Sequence, residues 1–196
     1  MGKDRLLAMT DGVVAIIITI MVLELKVPEH ATLQALGDSW HTFLAYGFSF
    51  VYVAIYWNNH HHYFHLVRHV NGAMLWANFN LLFWLSLVPF ATAWMGETEF
   101  APLPTAIYGL ALFMPALAWW VMQRVIFHMQ GADSPLRRLL GRDLKANLSP
   151  LLYAAGIGSS LFRPWAGLVF YTIVALIWLM PDRRIERMSQ NHQLPG

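Results

Sequence analysis

Thr10-Asp11-Gly12-Val13-Val14-Ala15-Ile16-Ile17-Ile18-Thr19-Ile20-Met21-Val22-Leu23 places one carboxylate and two hydroxyls in an otherwise apolar run, and the environment this run requires decides the fold. Followed outward, the run covers about residues 6–25, starts behind Lys3, Asp4 and Arg5, and stops at Lys26-Val27-Pro28. A helix needs about 20 mostly apolar residues to cross the hydrocarbon core of a bilayer. Thr19 and Glu24 interrupt the run and no small-x-small cleavage site follows it, so it is expected to be a retained helix, not a removed signal peptide.

The rest of the chain has the same character. Of its 196 residues 57% are hydrophobic and 12% charged, against about 25% charged in a soluble domain. The 9 Trp, 7 Tyr and 12 Phe supply belts for both membrane interfaces. Five further runs are bounded by charge, Pro or Gly: about 42–63, 73–95, 103–123, 145–162 and 164–180. An amphipathic connector, Ala31 to Trp40, precedes the first of them and is expected at the interface. The expectation is an all-α integral membrane protein with six transmembrane helices in a single domain over residues 1–196. The sequence contains no internal repeat, low-complexity linker or soluble domain.

Orientation follows from the basic residues in short loops. Six crossings put Lys3, Arg5, Arg68, Arg124, Arg137, Arg138, Arg142, Lys145, Arg183, Arg184 and Arg187 on one side, and leave Lys26 and Arg163 with Glu24, Glu29, Asp38, Glu97 and Glu99 on the other. Both termini are therefore expected in the cytoplasm. The formal charge of +2 reflects few acids, not a basic surface for nucleic acid. There is no cysteine, so disulfides, thiolate metal sites and Cys nucleophiles are all excluded. Walker, HExxH and GxSxG motifs are missing, and no nucleophile set or cofactor site suggests an enzyme. The TVGYG filter of ordinary potassium channels is missing as well.

At about 100° per residue, Gly12, Ile16, Thr19, Ile20 and Leu23 share one stripe of the first helix, while Asp11 points roughly 140° from Ile16. The stripe has two readings. It is ordinary helix packing, or several copies meet around an axis, with Ile16, Ile20 and Leu23 as a constriction that gates by dewetting and Thr19 offering oxygens to an ion.

A second feature is a set of polar residues at one depth: Asp11, then Trp57, Asn59, His60 and His61 at the end of the second helix, then Asn78 and Asn80 near the start of the third. Intramembrane ionisable groups are costly unless paired, and Arg5, His or Asn could supply donors to Asp11. This set reads as a structural clamp or as part of a transport path, with the clamp preferred. His60-His61-His62 with His65 and His69 also suggests a metal site, but adjacent histidines diverge by about 100° and no carboxylate or cysteine completes a shell. No metal is expected.

Arg5-x-x-x-Met9-Thr10-Asp11-Gly12-Val13-Val14-Ala15-Ile16-x-Ile18-Thr19 resembles the RxxxFSDGVFAIAIT signature of the bacterial relatives of transmembrane protein 175, the lysosomal potassium channel. Ile55-Tyr56-Trp57-Asn58-Asn59-His60-His61, Asn78-Phe79-Asn80-Leu81-Leu82, Leu87-Val88-Pro89-Phe90-Ala91-Thr92 and Pro181-Asp182-Arg183-Arg184 resemble further parts of that family. The resemblance implies one six-helix repeat per chain, a homotetramer in the cell inner (plasma) membrane, and a pore lined by helix 1 that passes K⁺ with weak selectivity and no cofactor. It implies Ile16 as the main constriction, with Ile20 and Leu23 on the same stripe and Thr19 tied to cation preference. Arg5, Thr10, Asp11, Trp57, a helix 2 histidine (His60 or His61) and a helix 3 asparagine (Asn78 or Asn80) would form the structural network. Met9-Thr10 departs from the family's Phe-Ser. The alternative is a proton-coupled carrier using Asp11 and the histidines; a non-transporting assembly factor is a third, weaker reading.

Overall fold

The computed structural model describes residues 2–65, 67, 69–130 and 144–179, and within them the chain is helical with no strand. The basic residues Arg68, Arg137, Arg138, Arg142, Arg183, Arg184 and Arg187, and the closing Pro181-Asp182-Arg183-Arg184, lie outside the described residues.

Helix α1 spans Lys3–Leu23 and stops where Lys26-Val27-Pro28 ends the apolar run. The connector forms a short helix, α2 (Leu33–Asp38), whose first turn is capped by the Thr32 hydroxyl accepting from the Ala35 N–H. Helix α3 spans Trp40–His65. Helix α4 (Gly72–Leu85) starts at Asn71, whose side chain accepts from the Met74 N–H at 2.9 Å.

The run expected as one helix over 73–95 is delivered in two pieces, because α4 ends at Leu85 and α5 covers Val88–Glu97. The cause is Pro89. Its nitrogen has no hydrogen to donate to the Leu85 carbonyl, and its ring would collide with that carbonyl in a continuous helix. Ser86 and Leu87 absorb the offset, with the Ser86 hydroxyl donating to Phe83 O at 2.7 Å. Helix α6 (Pro102–Gln130) runs past Gln123 to Gln130 and tolerates Pro115 in its interior, and α7 (Leu144–Ser160) tolerates Pro150. Helix α8 spans Pro164–Leu179.

Side-chain contacts fix the relative directions of the rods. Asn78 meets Thr10 near one end of α1, and Lys26 pairs with Glu97 beyond the other, so α1 and the α4–α5 rod run in parallel. Ser49 meets Tyr108, and further along His60 approaches Trp119, so α3 and α6 run together in the opposite sense. Phe113 meets Tyr153 while Gly109 lies against Ile157, so α7 runs against α6, and Ser149 meets Trp178 while Ser160 meets Tyr171, so α8 runs against α7.

Two packed clusters hold the rods. One joins α1, α3, α4 and α6 through Leu6, Ile17, Met21, Phe64, Leu81 and Met122. The other joins α3, α5, α6, α7 and α8 around Tyr108, Tyr153 and Tyr171. In the second, Gly109 and Gly156 make room for the Tyr171 ring, which a Cβ at either position would strike. Lipid tails are as apolar as these side chains, so within a bilayer such close packing and internal hydrogen bonds, not water exclusion, hold helices together.

Among the described residues three rods are long and apolar enough to cross a membrane: α1, the α4–α5 pair and α6. The 16-residue α8 is shorter but equally apolar, and α3 is diluted by Asn58, Asn59 and its histidines.

Outside the helices, Phe100 adopts a left-handed backbone (φ 60°), as does Glu99 (φ 52°). Such a conformation costs roughly 1 kcal/mol or more for a residue with a Cβ. The buried Phe100 ring, packed against Trp40, His41 and Trp165, holds it there.

Candidate functional site

Helix α1 has two unlike faces. Leu6, Thr10, Val14, Ile17 and Met21 recur at helical spacing and are buried against α3, α4 and α5. Gly12, Ile16, Thr19, Ile20 and Leu23 face outward, with Ile16 59%, Ile20 41% and Leu23 75% exposed. No part of the described chain covers this seam, and it coincides with the stripe selected from the sequence. The Thr19 hydroxyl donates its one hydrogen to Ala15 O at 2.8 Å. Its oxygen lone pairs are left facing outward.

On the buried face a chain of hydrogen bonds ties α1 to its neighbours. The Thr10 hydroxyl donates to Leu6 O at 3.0 Å, so its oxygen is free to accept. Asn78 Nδ2 donates to that oxygen at 3.0 Å, which turns Asn78 Oδ1 toward His60 Nε2, 2.8 Å away. A carboxamide oxygen only accepts, so the His60 proton sits on Nε2. All three side chains are buried, and the His60 ring stacks on Phe64 at 4.2 Å. Buried polar groups are expensive unless partnered, and this chain satisfies each of them while fixing α1 to α3 and α4.

The remaining expected members fall elsewhere. Asp11 is exposed beside the buried chain and accepts from Trp57 Nε1 at 2.8 Å. Among the described residues no hydrogen bond or ion pair joins it to a histidine; its indole partner is a donor that does not exchange protons near neutral pH. His61 stacks on Trp57 at 5.7 Å, outside the buried chain. Asn80 lies about 200° round the helix from Asn78, exposed and without a hydrogen bond among the described residues. Arg5 is likewise exposed in the first turn of α1, without an ion pair among the described residues.

A second buried chain escaped the sequence reading. Tyr108 lies 2.8 Å from Ser49, Ser49 lies 2.7 Å from Thr92, and Thr92 lies 2.7 Å from Val88 O. A hydroxyl has one hydrogen, and the Val88 carbonyl can only accept. Thr92 therefore donates to Val88 O, Ser49 donates to Thr92, and Tyr108 donates to Ser49. The available signal was weak: a Ser and a Thr inside apolar runs, with nothing in the sequence to pair them.

Among the described residues no group of three or more His, Asp or Glu side chains is placed to hold a metal ion. At the far end of α1, the exposed Lys26 ammonium meets Glu97 at 2.8 Å. The hydrogen bond to Glu97, reinforced by its charge, holds the Lys26 pKa above its ordinary value of 10.5.

Comparison with known proteins places this arrangement. The sequence profile of the family described as Endosomal/lysosomal potassium channel TMEM175 matches residues 5–89, which contain both α1 faces and the His60–Asn78–Thr10 chain. A potassium channel of Chryseobacterium sp. (strain P1-3) is 52% identical over 187 residues, covering 95% of this chain and 97% of that one. A potassium channel of Streptomyces collinus is 35% identical over 190 residues, covering 90% and 91%. The crystal structure of a lysosomal potassium-selective channel TMEM175 homolog from Chamaesiphon minutus superposes with a TM-score of 0.78 at 27% identity, over 90% of this chain and 96% of that one. On this sequence and structural similarity, the chain belongs to the TMEM175 family, a family of membrane channels and not of enzymes.

Proposed function

We propose that the chain is one subunit of a weakly selective potassium channel in which α1 from each copy lines a shared central path. The observation that carries this reading is the uncovered seam Gly12, Ile16, Thr19, Ile20 and Leu23, left outward by a chain that buries the opposite face of the same helix. A single chain cannot surround a pore with one helix. We therefore assign the assembly as a homotetramer, following the family resemblance, in the cell inner (plasma) membrane. The alternating rods cross six times and leave both termini in the cytoplasm, beside most of the Lys and Arg.

In this assembly rings of Ile16, Ile20 and Leu23 form the constriction, which closes by excluding water from an apolar neck. Thr19 lies on the same seam. Because its hydrogen is committed to Ala15 O, it turns lone pairs toward a passing cation. With no cofactor and no carbonyl filter, selectivity is set by this hydroxyl ring and the width of the neck. The buried His60–Asn78–Thr10 chain keeps α1 in register so that the rings form.

The proton-coupled carrier is the weaker reading. Asp11 is held by an indole, and His60 is buried and bonded to a carboxamide, so among the described residues no hydrogen bond joins these two ionisable groups. Purified protein in liposomes is expected to pass K⁺ in preference to Na⁺ without saturation. Ile16→Asn is expected to raise the current. An unchanged current in a well-assembled Ile16→Asn protein would remove Ile16 as the gate.

A further inference from the structure

A cavity of about 240 Å³ lies between α3, α6, α7 and α8, away from the outward seam of α1. It is several times larger than the ~30 Å³ share of one water, and a confined water needs two to four polar partners. Its walls are mainly aromatic and aliphatic, including Phe113, Trp119 and Tyr153, and among the described residues no Asp, Glu, Lys, Arg or His lines it. A charge stands close by, the Arg124 guanidinium 4.6 Å over the Trp120 ring, but the described walls themselves suit an uncharged apolar body.

The polar groups on the wall indicate how such a body is held. Trp178 Nε1 donates to Ser149 Oγ at 2.8 Å, and Ser149 donates to Lys145 O, so these two are mutually satisfied. Gln123 is different. It lines the cavity, is 7% exposed, and its carboxamide makes no hydrogen bond among the described residues. Across the same space, Asn59 commits Nδ2 to Ile55 O at 2.8 Å, which leaves its Oδ1 available as an acceptor. On the same wall Trp119 Nε1 is buried and has no hydrogen-bond partner among the described residues, and unpartnered polar groups inside a native fold are costly. A free donor and free acceptors at one cavity are complementary to a hydroxyl, which gives one hydrogen and accepts another.

We propose that this cavity is a binding site for an uncharged amphiphile: an apolar chain or ring ending in a hydroxyl, anchored by Gln123. Trp119 walls the cavity and also packs against His60 (ring centroids 6.4 Å apart), so the occupant sits one side chain from the bonds that hold α1. The guest is either a free alcohol partitioned into the bilayer or the hydroxyl-bearing portion of a membrane lipid.

The test uses the full chain reconstituted in phosphatidylcholine vesicles, with 11-bromo-1-undecanol as the probe, because bromine quenches tryptophan on contact and Trp119, Trp120 and Trp178 line the site. The expected result is a saturable quenching component above the linear bilayer background. Gln123→Leu should weaken it about tenfold, the effect of one hydrogen bond in apolar surroundings. Ala116→Phe, which narrows the space for the apolar body, should abolish it, with circular dichroism and elution volume checking that both variants fold. A parallel arm uses vesicles containing diacylglycerol with brominated chains, an uncharged lipid with one free hydroxyl. Quenching there that depends on Ala116 and resists displacement by plain undecanol supports the site and identifies a lipid as its source. Displaceable quenching supports a free alcohol. Quenching that is linear in both arms and identical in all three proteins overturns the proposal.

Discussion

The two faces of α1 are nearly matched in composition yet opposite in environment. Each is aliphatic and carries one threonine, and each threonine donates to the carbonyl four residues back: Thr10 to Leu6 and Thr19 to Ala15. They differ in what reaches the oxygen. Asn78 occupies the Thr10 lone pair, whereas nothing in the described chain approaches Thr19. One helix thus presents the same functional group as a structural tie on one side and as an open oxygen on the other, and the packing of α3, α4 and α5 decides which is which.

Four substitutions sharpen or break that comparison. The largest effect is expected on the buried face. Asn78→Leu removes two hydrogen bonds and strands the His60 donor, at a cost of about 1–3 kcal/mol, read as a lower thermal midpoint in detergent and loss of assembled complex. A midpoint equal to wild type would show that the buried chain is not the tie.

Next is the seam. Ile16→Asn should leave the thermal midpoint near wild type while raising K⁺ current about tenfold, since 1.4 kcal/mol off a barrier gives that factor. If instead it destabilised the fold and left conduction unchanged, the two faces would have exchanged roles. Smaller still is Trp57→Phe, which removes the donor to Asp11 on an exposed flank; a destabilisation of about 1 kcal/mol or less is expected, read as a small drop in the thermal midpoint with little change in current.

The smallest expected effect is at Lys26. Its pKa is raised, so any contribution of the pair is fully present below 10.5 and is lost only as the pH climbs through the raised value. Lys26→Gln should therefore produce no pH-dependent difference in thermal midpoint between pH 6 and 9. A difference that titrates in that range would assign the pair a role that its exposure does not suggest.

How much of this was legible in the sequence depended on the range of the interaction. The seam on α1 is a local property: helical spacing alone brings Gly12, Ile16, Thr19, Ile20 and Leu23 together, and the structure leaves those residues outward. The His60–Asn78–Thr10 chain was legible only as a shared depth. Depth could not decide between Asn78 and Asn80, because that choice is rotational and depends on which side of α4 meets α1. The same limit applies to Asp11, which shares its depth with Trp57, His60 and His61 but whose partner is fixed by the rotation of α3.

Pro89 stood in plain view, yet the run around it was expected as one helix. A hydrophobic span shows how many apolar residues are available and not where a missing N–H divides them. The Tyr108–Ser49–Thr92 chain and the free carboxamide of Gln123 depend on how α3, α5 and α6 pack together, and no local pattern announces them.

The central claim, that the outward face of α1 borders water in the assembled channel, is open to a direct measurement because the chain has no cysteine of its own. Single cysteines would be placed at Ile16 and Leu23 on the seam and at Val14 on the buried face. Each protein would be exposed to a small water-soluble methanethiosulfonate reagent while passing K⁺ in a planar bilayer. The account predicts rapid modification at Ile16 and Leu23, seen as a stepwise change in current, and none at Val14. Current that flows undisturbed through proteins whose Ile16 and Leu23 cysteines never react would contradict it.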